Sequence, residues 1–322
     1  MPVIHWLHDC PDPSAAGVGG KGASLVRLSA AGFPVPPGFV IGAAGYRAWI
    51  AHNSLQPRIE ALLATPDLRL PKVAREACAA VRDAVEGTAL PPDLQEATLS
   101  AYRRLREQRG DALVVAVRSS ALSEDGAASS SAGLYETYLN LRDEARVLDG
   151  VARCYRSLWA HRAVQYRAFK QIDSTREAMA VVVMEMVPAR VSGVAFTVNP
   201  VTRDSSEIMI NASWGLGEAI VSGRVTPDTF VVRKHDLAIT GREIYDKEIM
   251  ILADPDGRSG TVSVEPPPSK RQAAALSDAE VGQLANLCLR VEKHYGGPQD
   301  VEWAFDEHDL FLLQSRPVTA LG

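Results

Sequence analysis

Two hydrophobic periodicities divide the chain. From about residue 43 to 109, apolar positions recur at helical spacing beside long polar faces, with turn signals at Pro71 and Pro91-Pro92. Upstream, residues 23–31 read as a helix stopped by Gly32, and the stiff stretch Pro34-Val35-Pro36-Pro37-Gly38 follows. Residues 112–117 form a short apolar run, predicted as a strand entering a polar loop, Arg118-Ser119-Ser120-Ala121. A helix is expected from about 149 to 170, with its many arginines on a solvated face.

Beyond residue 178 the period shortens to two. Strands are expected at 178–187, 192–198, 207–212, 229–233 and 248–252, with Asp254-Pro255-Asp256-Gly257 as a turn and Glu265-Pro266-Pro267-Pro268-Ser269 as a stiff connector. One helix is well marked. It opens at Ser277, where Glu280 completes a capping box, keeps Val281, Leu284, Leu287 and Val291 on one side, and ends at Gly296-Gly297. A helix-rich first half and a strand-rich second half predict an α+β protein of two lobes, residues 1–185 and 186–322, with a cleft between them.

The last thirty residues carry the sharpest pattern. Residues 299–305 and 310–317 both alternate apolar and polar, with Glu307-His308-Asp309 as the turn. A hairpin symmetric about His308 sets Glu302 opposite Gln314 and Asp300 opposite Arg316. All four then share one face, while Val301, Trp303 and Phe305 share the other. Two carboxylates, an amide oxygen and a guanidinium suit Mg²⁺ and polyphosphate; a surface hairpin with cross-strand ion pairs fits the spacing equally well.

Composition narrows the class. The 322 residues are 46% hydrophobic, enough for one or two sizeable cores, and the net charge of −5 argues against a nucleic-acid partner. Four scattered cysteines, Cys10, Cys78, Cys154 and Cys288, contain no Cys-x-x-Cys pair, so neither a zinc site nor a disulfide framework is expected. With no signal-like N-terminus and no apolar run near ~18 residues, a cytoplasmic protein without a membrane span is expected.

Other motifs leave two readings open. Gly17-x-Gly19-Gly20-Lys21-Gly22 offers free N–H groups and one cation, as a phosphate loop does, yet it is not a Walker A loop, and a flexible turn capping a helix fits as well. Arg118 at the end of a buried strand needs an anionic partner, either a ligand phosphate or a structural carboxylate. Ser129-Ser130-Ser131-Ala132-Gly133 could surround phosphates or form a surface loop. Trp214-Gly215-Leu216-Gly217-Glu218-Ala219 reads as a glycine turn into a helix. Glu185, polar inside an apolar run, suggests a strand that crosses between lobes and offers its backbone to a purine ring.

Taken together, these blocks resemble one family. GGKGASL from Gly19, GFPVPPGFVI from Gly32, AVRSSALSED from Ala116, SAGLYETYLN from Ser131 and SGVAFTVNPVTRD from Ser192 run in order, followed by INASWGLGEAIVSGRVTPD from Ile210, QDVEWAF from Gln299 and LLQSRP from Leu312. The chain is similar to the N-terminal ATP-binding domain of the phosphoenolpyruvate synthase, pyruvate phosphate dikinase and rifampin phosphotransferase group, which has an ATP-grasp fold.

The resemblance implies a site in which ATP and Mg²⁺ are bound in the cleft. Lys21 and Arg118 would contact the ATP phosphates, and Gly133 and Thr137 would lie in the loop over the triphosphate. Met184-Glu185-Met186-Val187 would hydrogen-bond adenine through the backbone. Glu302 and Gln314 would bind Mg²⁺ and phosphate with Asp300 in support, and Arg316 would neutralise developing charge. Family members usually continue into a swivelling domain whose histidine accepts a phosphoryl group, and none of the seven histidines here (His5, His8, His52, His161, His235, His294, His308) stands in that Gly- and Thr-rich context. The expectation is a phosphotransferase subunit that phosphorylates a histidine on a separate carrier for transfer to a small acceptor, pyruvate-like or an antibiotic hydroxyl. A stand-alone small-molecule kinase and a non-catalytic nucleotide-binding module are the alternatives.

Overall fold

The computed structural model describes residues 3–10, 14–64, 67–123, 134–257 and 260–318. The chain divides into two compact units, one formed by Met1–Ala30 with Pro37–Glu185 and the other by Ala31–Pro36 with Met186–Gly322.

Unit 1 runs β1 (Ile4–Trp6), α1 (Ala15–Ala30), β2 (Gly38–Ile41), α2 (Ala43–His52), α3 (Gln56–Leu63), α4 (Pro71–Val85), α5 (Pro92–Arg109), β3 (Val115–Ala121), β4 (Thr137–Leu141), α6 (Glu144–Ser157), α7 (His161–Phe169) and β5 (Met179–Glu185). Its antiparallel sheet has the order β1-β2-β5-β3-β4. Alternation along the strands sends Phe39, Ile41, Val115, Val117, Val181 and Val183 into a core shared with Tyr46 and Trp49 of α2 and Val151 and Tyr155 of α6. α1 packs on β3 and β5. The prolines expected to punctuate the helical stretch begin α4 and α5, where the missing N–H costs no helical bond.

Two expectations fail here. Arg118-Ser119-Ser120 is not a loop but part of β3, because its backbone continues the ladder with β5 as far as Ala121, and the buried serine hydroxyls are satisfied by carbonyls: Ser119 Oγ donates to Glu136 O at 2.8 Å and Ser120 Oγ to Val18 O at 2.9 Å. The single helix over 149–170 is two, α6 starting at the cap Asp143 and α7 at His161, and its arginines are not all solvated. Arg167 is fully buried, donating to Ser174 Oγ at 2.9 Å, Tyr135 Oη at 2.9 Å and Leu158 O at 2.7 Å.

Unit 2 contains β6 (Val191–Phe196), β7 (Glu207–Trp214), α8 (Glu218–Val221), β8 (Asp228–Arg233), β9 (Ile239–Glu243), β10 (Met250–Ala253), β11 (Thr261–Val264), α9 (Pro268–Arg271), α10 (Asp278–Tyr295), β12 (Gln299–Phe305) and β13 (Leu310–Pro317). Six strands form an antiparallel sheet in the order β13-β12-β6-β7-β8-β9, and β10 pairs with β11. α10 packs on β12 and β7, with its capping box at Ser277/Glu280 and its left-handed C-cap at Gly296 in place as expected. Ile208, Ile210, Phe230, Val232, Val301 and Trp303 are fully buried, whereas Met209, Asn211, Thr229, Val231, Val194 and Phe196, which alternate with them, are half-buried. The sheet therefore has one closed face and one partly open face. A fully buried ion pair fixes the connector after β9: Lys247 Nζ lies 2.6 Å from Asp228 Oδ1, and Ala275 N donates to Asp228 Oδ2 at 2.7 Å. The segment Ala31–Pro36 belongs to unit 2, held by the bond from Leu312 N to Pro34 O and by Phe33 packed on His294.

Candidate functional site

On unit 1, two sequence-remote groups are brought together by one serine. The glycine run lies inside α1, which kinks at Gly19, where φ is 71°. Ser120 Oγ bridges the kink, donating to Val18 O at 2.9 Å and accepting from Gly22 N at 3.0 Å. A Cβ on Gly19 would lie 2.6 Å from the Ser120 carbonyl carbon, so only glycine admits this approach. The turn preceding Lys21 is thus bound to the strand carrying Arg118, and both side chains are half-buried. Thr137 of β4 stands directly opposite Arg118 in the ladder and is exposed. Gly133 and the serine run before it lie outside the described residues. The sequence pattern places Ser120 in a loop and gives it no role; its signal is a small hydroxyl beside Arg118, distant from a glycine run that needs a close neighbour.

The segment expected to bind a purine divides at the end of the β5 ladder. Met184 is paired on both sides, with Gly38 of β2 and Ala116 of β3, and its side chain is buried. Glu185 N donates to Pro37 O at 2.8 Å, but proline has no N–H to return the bond. The ladder ends there, and the Glu185 carbonyl points where strand β2 cannot supply a donor. Met186 and Val187 follow outside the sheet. The polar side chain at 185 is paired: Arg109 at the end of α5 grips its carboxylate at 2.7 and 3.2 Å.

On unit 2 the hairpin register is as expected at the chemically important end, Glu302 facing Gln314 and Asp300 facing Arg316. Near the turn it differs. Leu312, not Leu313, faces Trp303, and Leu310 faces Phe305, so the strict symmetry about His308 is broken. Asp306 accepts bonds from His308 N and Asp309 N at 2.7 Å each and closes a four-residue turn; Leu310 and Leu312 then enter the core, and a bulge at Leu313 absorbs the extra residue. The bulge reverses the facing of β13, which returns Gln314 and Arg316 to the side of Glu302 and Asp300.

Asp300 and Arg316 are bound to each other. Arg316 Nε and Nη2 reach Asp300 Oδ2 at 2.9 and 2.7 Å, with the carboxylate nearly buried. Asp300 anchors the guanidinium through Oδ2. Glu302 is half-buried and Gln314 buried, so one carboxylate and one amide oxygen stand as directly opposed hard donors. Among the described residues no cluster of three His, Cys, Asp or Glu side chains could hold a metal. The donor set nonetheless fits Mg²⁺, which takes one or two protein oxygens and completes its shell with water and phosphate. Among the described residues no helix is long and apolar enough to cross a membrane.

Comparison with known proteins gives the family. Residues 15–322 match the family described as "Pyruvate phosphate dikinase, AMP/ATP-binding domain". The chain is similar to a "Probable phosphoenolpyruvate synthase" of Methanocaldococcus jannaschii, 41% identical over 322 residues, which cover 100% of this chain and 27% of the relative. It is 44% identical over 305 residues to one from Methanothermobacter thermautotrophicus, covering 94% of this chain and 44% of that protein. With the "Phosphoenolpyruvate synthase" of Pyrococcus furiosus it shares 37% over 357 residues, 99% of this chain and 44% of the relative. The chain thus spans less than half the length of these relatives.

Proposed function

We propose that this chain, which belongs to the pyruvate phosphate dikinase AMP/ATP-binding domain family, is the Mg·ATP-binding part of a cytoplasmic phosphotransferase that loads a histidine carrier. The observation that carries the reading is the hairpin register, which opposes Glu302 to Gln314 and Asp300 to Arg316 on one face. A purely structural hairpin has no need of a bulge that restores four polar groups to a common side.

Each residue then has a role. Lys21 and Arg118 hold phosphate oxygens, with Thr137 as a hydroxyl donor beside Arg118. The Glu185 carbonyl accepts the purine's exocyclic N–H, and the Met186–Val187 backbone completes the contact; Met184 supports the segment from within the sheet. Glu302 and Gln314 would hold Mg²⁺, which would supply charge neutralisation to the phosphoryl groups. Arg316, held rigid by Asp300, faces the charge that grows on the transferring group. Phosphoryl transfer requires little more from a protein than positioning and charge neutralisation.

The acceptor is proposed to be a histidine nitrogen on a carrier domain, which passes the phosphoryl group to a small molecule, pyruvate-like by analogy with the named relatives. In that scheme ATP yields AMP, with the β-phosphoryl group on histidine and the γ-phosphoryl released as phosphate or onto phosphate. The test is chromatography of nucleotides from Mg·ATP mixtures with and without a histidine-domain protein. AMP that appears only with the carrier is expected; stoichiometric ADP formed with a small acceptor alone would replace the carrier scheme with direct transfer.

A further inference from the structure

The ladder pairings of unit 2 place a second polar group on the face that carries the hairpin residues. One transverse row crosses all six strands: Gln314, Glu302, Val194, Asn211, Thr229 and Glu243. Directly paired residues project to the same side, so Asn211 shares the face of Glu302 at the same depth along the strands. Two strand spacings separate them, about 10 Å between Cα atoms.

Asn211 is out of character where it stands. It occupies the middle of β7, a central strand whose neighbours in sequence are Ile210 and Ala212, and asparagine is depleted at such positions. Its amide is oriented: Nδ2 donates to Thr229 Oγ1 of β8 at 2.9 Å. With Nδ2 turned toward β8, Oδ1 occupies the other arm of the amide, turned away from β8, and both residues are half-buried on the partly open face. Within this row the Gln314–Glu302 pair and Asn211 are separated by Val194 alone. A gap of this width is too large for one ion to touch both Glu302 and Asn211 directly, yet Mg²⁺ usually keeps several of its waters.

Resting on the Mg·ATP reading above, we propose that Asn211 is a positioning residue for the metal: its Oδ1 accepts a hydrogen bond from a water on the cation held by Glu302 and Gln314, and Thr229 fixes the amide for that purpose. Such outer partners typically change metal affinity by ~10–100-fold when removed.

The experiment is calorimetric titration of ATP into wild type, Asn211→Ala, Asn211→Asp and Thr229→Val, each with excess Mg²⁺ and again with EDTA, after thermal melting has shown each to be folded. Asn211→Ala should weaken ATP binding ~10-fold or more with Mg²⁺ and leave it unchanged in EDTA. Asn211→Asp, which keeps an oxygen acceptor, should restore Mg²⁺-dependent binding, and Thr229→Val should weaken it by a smaller factor. Equal affinity of Asn211→Ala and wild type in Mg²⁺ would overturn this inference and leave the nucleotide reading intact. Equal weakening with and without metal would also overturn it, because a merely structural role predicts that result. A folded wild type that binds no ATP would overturn both.

Discussion

Alanine at two glycines of the same run should have opposite effects, and the structure sets the size of each. At Gly19 the backbone is left-handed, φ 71°, and an added Cβ would meet the Ser120 carbonyl group, its carbon at 2.6 Å and its oxygen closer still. Ordinary contact needs ~3.5 Å, so α1 and β3 must separate by about 1 Å. This conformation, φ 71° with ψ 172°, is essentially confined to glycine and costs another residue about 1–3 kcal/mol. The separation also strains the two Ser120 Oγ bonds, to Val18 O and from Gly22 N, at about 0.5–1.5 kcal/mol each. Gly19→Ala should therefore destabilise by about 2–6 kcal/mol, lowering the melting of unit 1 by roughly 5–15 °C. It should weaken ATP binding as well, since Lys21 follows the kink. Among the described residues Gly17 has no such neighbour; its Cβ would meet Ser14 Oγ, at 3.9 Å, within a helix that favours alanine by ~1 kcal/mol. Gly17→Ala should melt at or slightly above wild type. Differential scanning calorimetry with an ATP titration measures both effects. Gly19→Ala with wild-type melting and affinity would refute the claim that a close approach builds this part of the site.

Three further outcomes follow from burial. Trp303→Ala empties a fully buried ring position opposite Gly193, and chemical denaturation should show a loss of about 3–5 kcal/mol. Lys247→Ala leaves the Asp228 carboxylate buried without its cation and should cost about 3–5 kcal/mol by the same measurement. Burial pushes the Cys78 thiol up to about 11 and that of Cys288 up to about 12, so both stay protonated at pH 8. A thiol reagent at that pH should label half-buried Cys10 first and reach Cys78, Cys154 and Cys288 only on unfolding, as peptide mapping would show.

The sequence was most readable where a local rule acts alone. The α10 capping box needs only Ser277 and Glu280, and the strand alternation over 207–212 needs only its own side chains. The hairpin register at Glu302 was reached by symmetry, but the structure obtains it by a different route, through a four-residue turn and a bulge at Leu313 whose cause is the burial of Leu310 and Leu312. Spacing cannot anticipate such a bulge, because it depends on what the opposing strand packs against. Arg167 breaks the expectation of a solvated arginine face, and the partner of the Glu185 side chain is equally invisible in the sequence. Arg167 is buried because Ser174, Tyr135 and Leu158 converge on it, and Glu185 is polar because Arg109, 76 positions away, comes to meet it. Ser120 was hidden in a stretch read as loop. Its role appears only once α1 lies on β3, a contact between residues 98 or more positions apart. β1, β2, β4, β9 and β11 were likewise not anticipated: short strands of three to five residues take their identity from the neighbours they pair with.

The central claim is that the opposed hairpin residues hold a metal-bound nucleotide. Titration of ATP into the folded chain in excess Mg²⁺ tests it most directly, with Glu302→Ala measured alongside. Wild type should bind one ATP with a dissociation constant in the range of roughly 1 μM to 1 mM that enzymes show for their substrates. Glu302→Ala, with unchanged melting because its side chain is half-buried and outside the Val301/Trp303 core, should bind at least ~10-fold more weakly. No heat from folded wild type, or equal affinity in Glu302→Ala, would contradict the account.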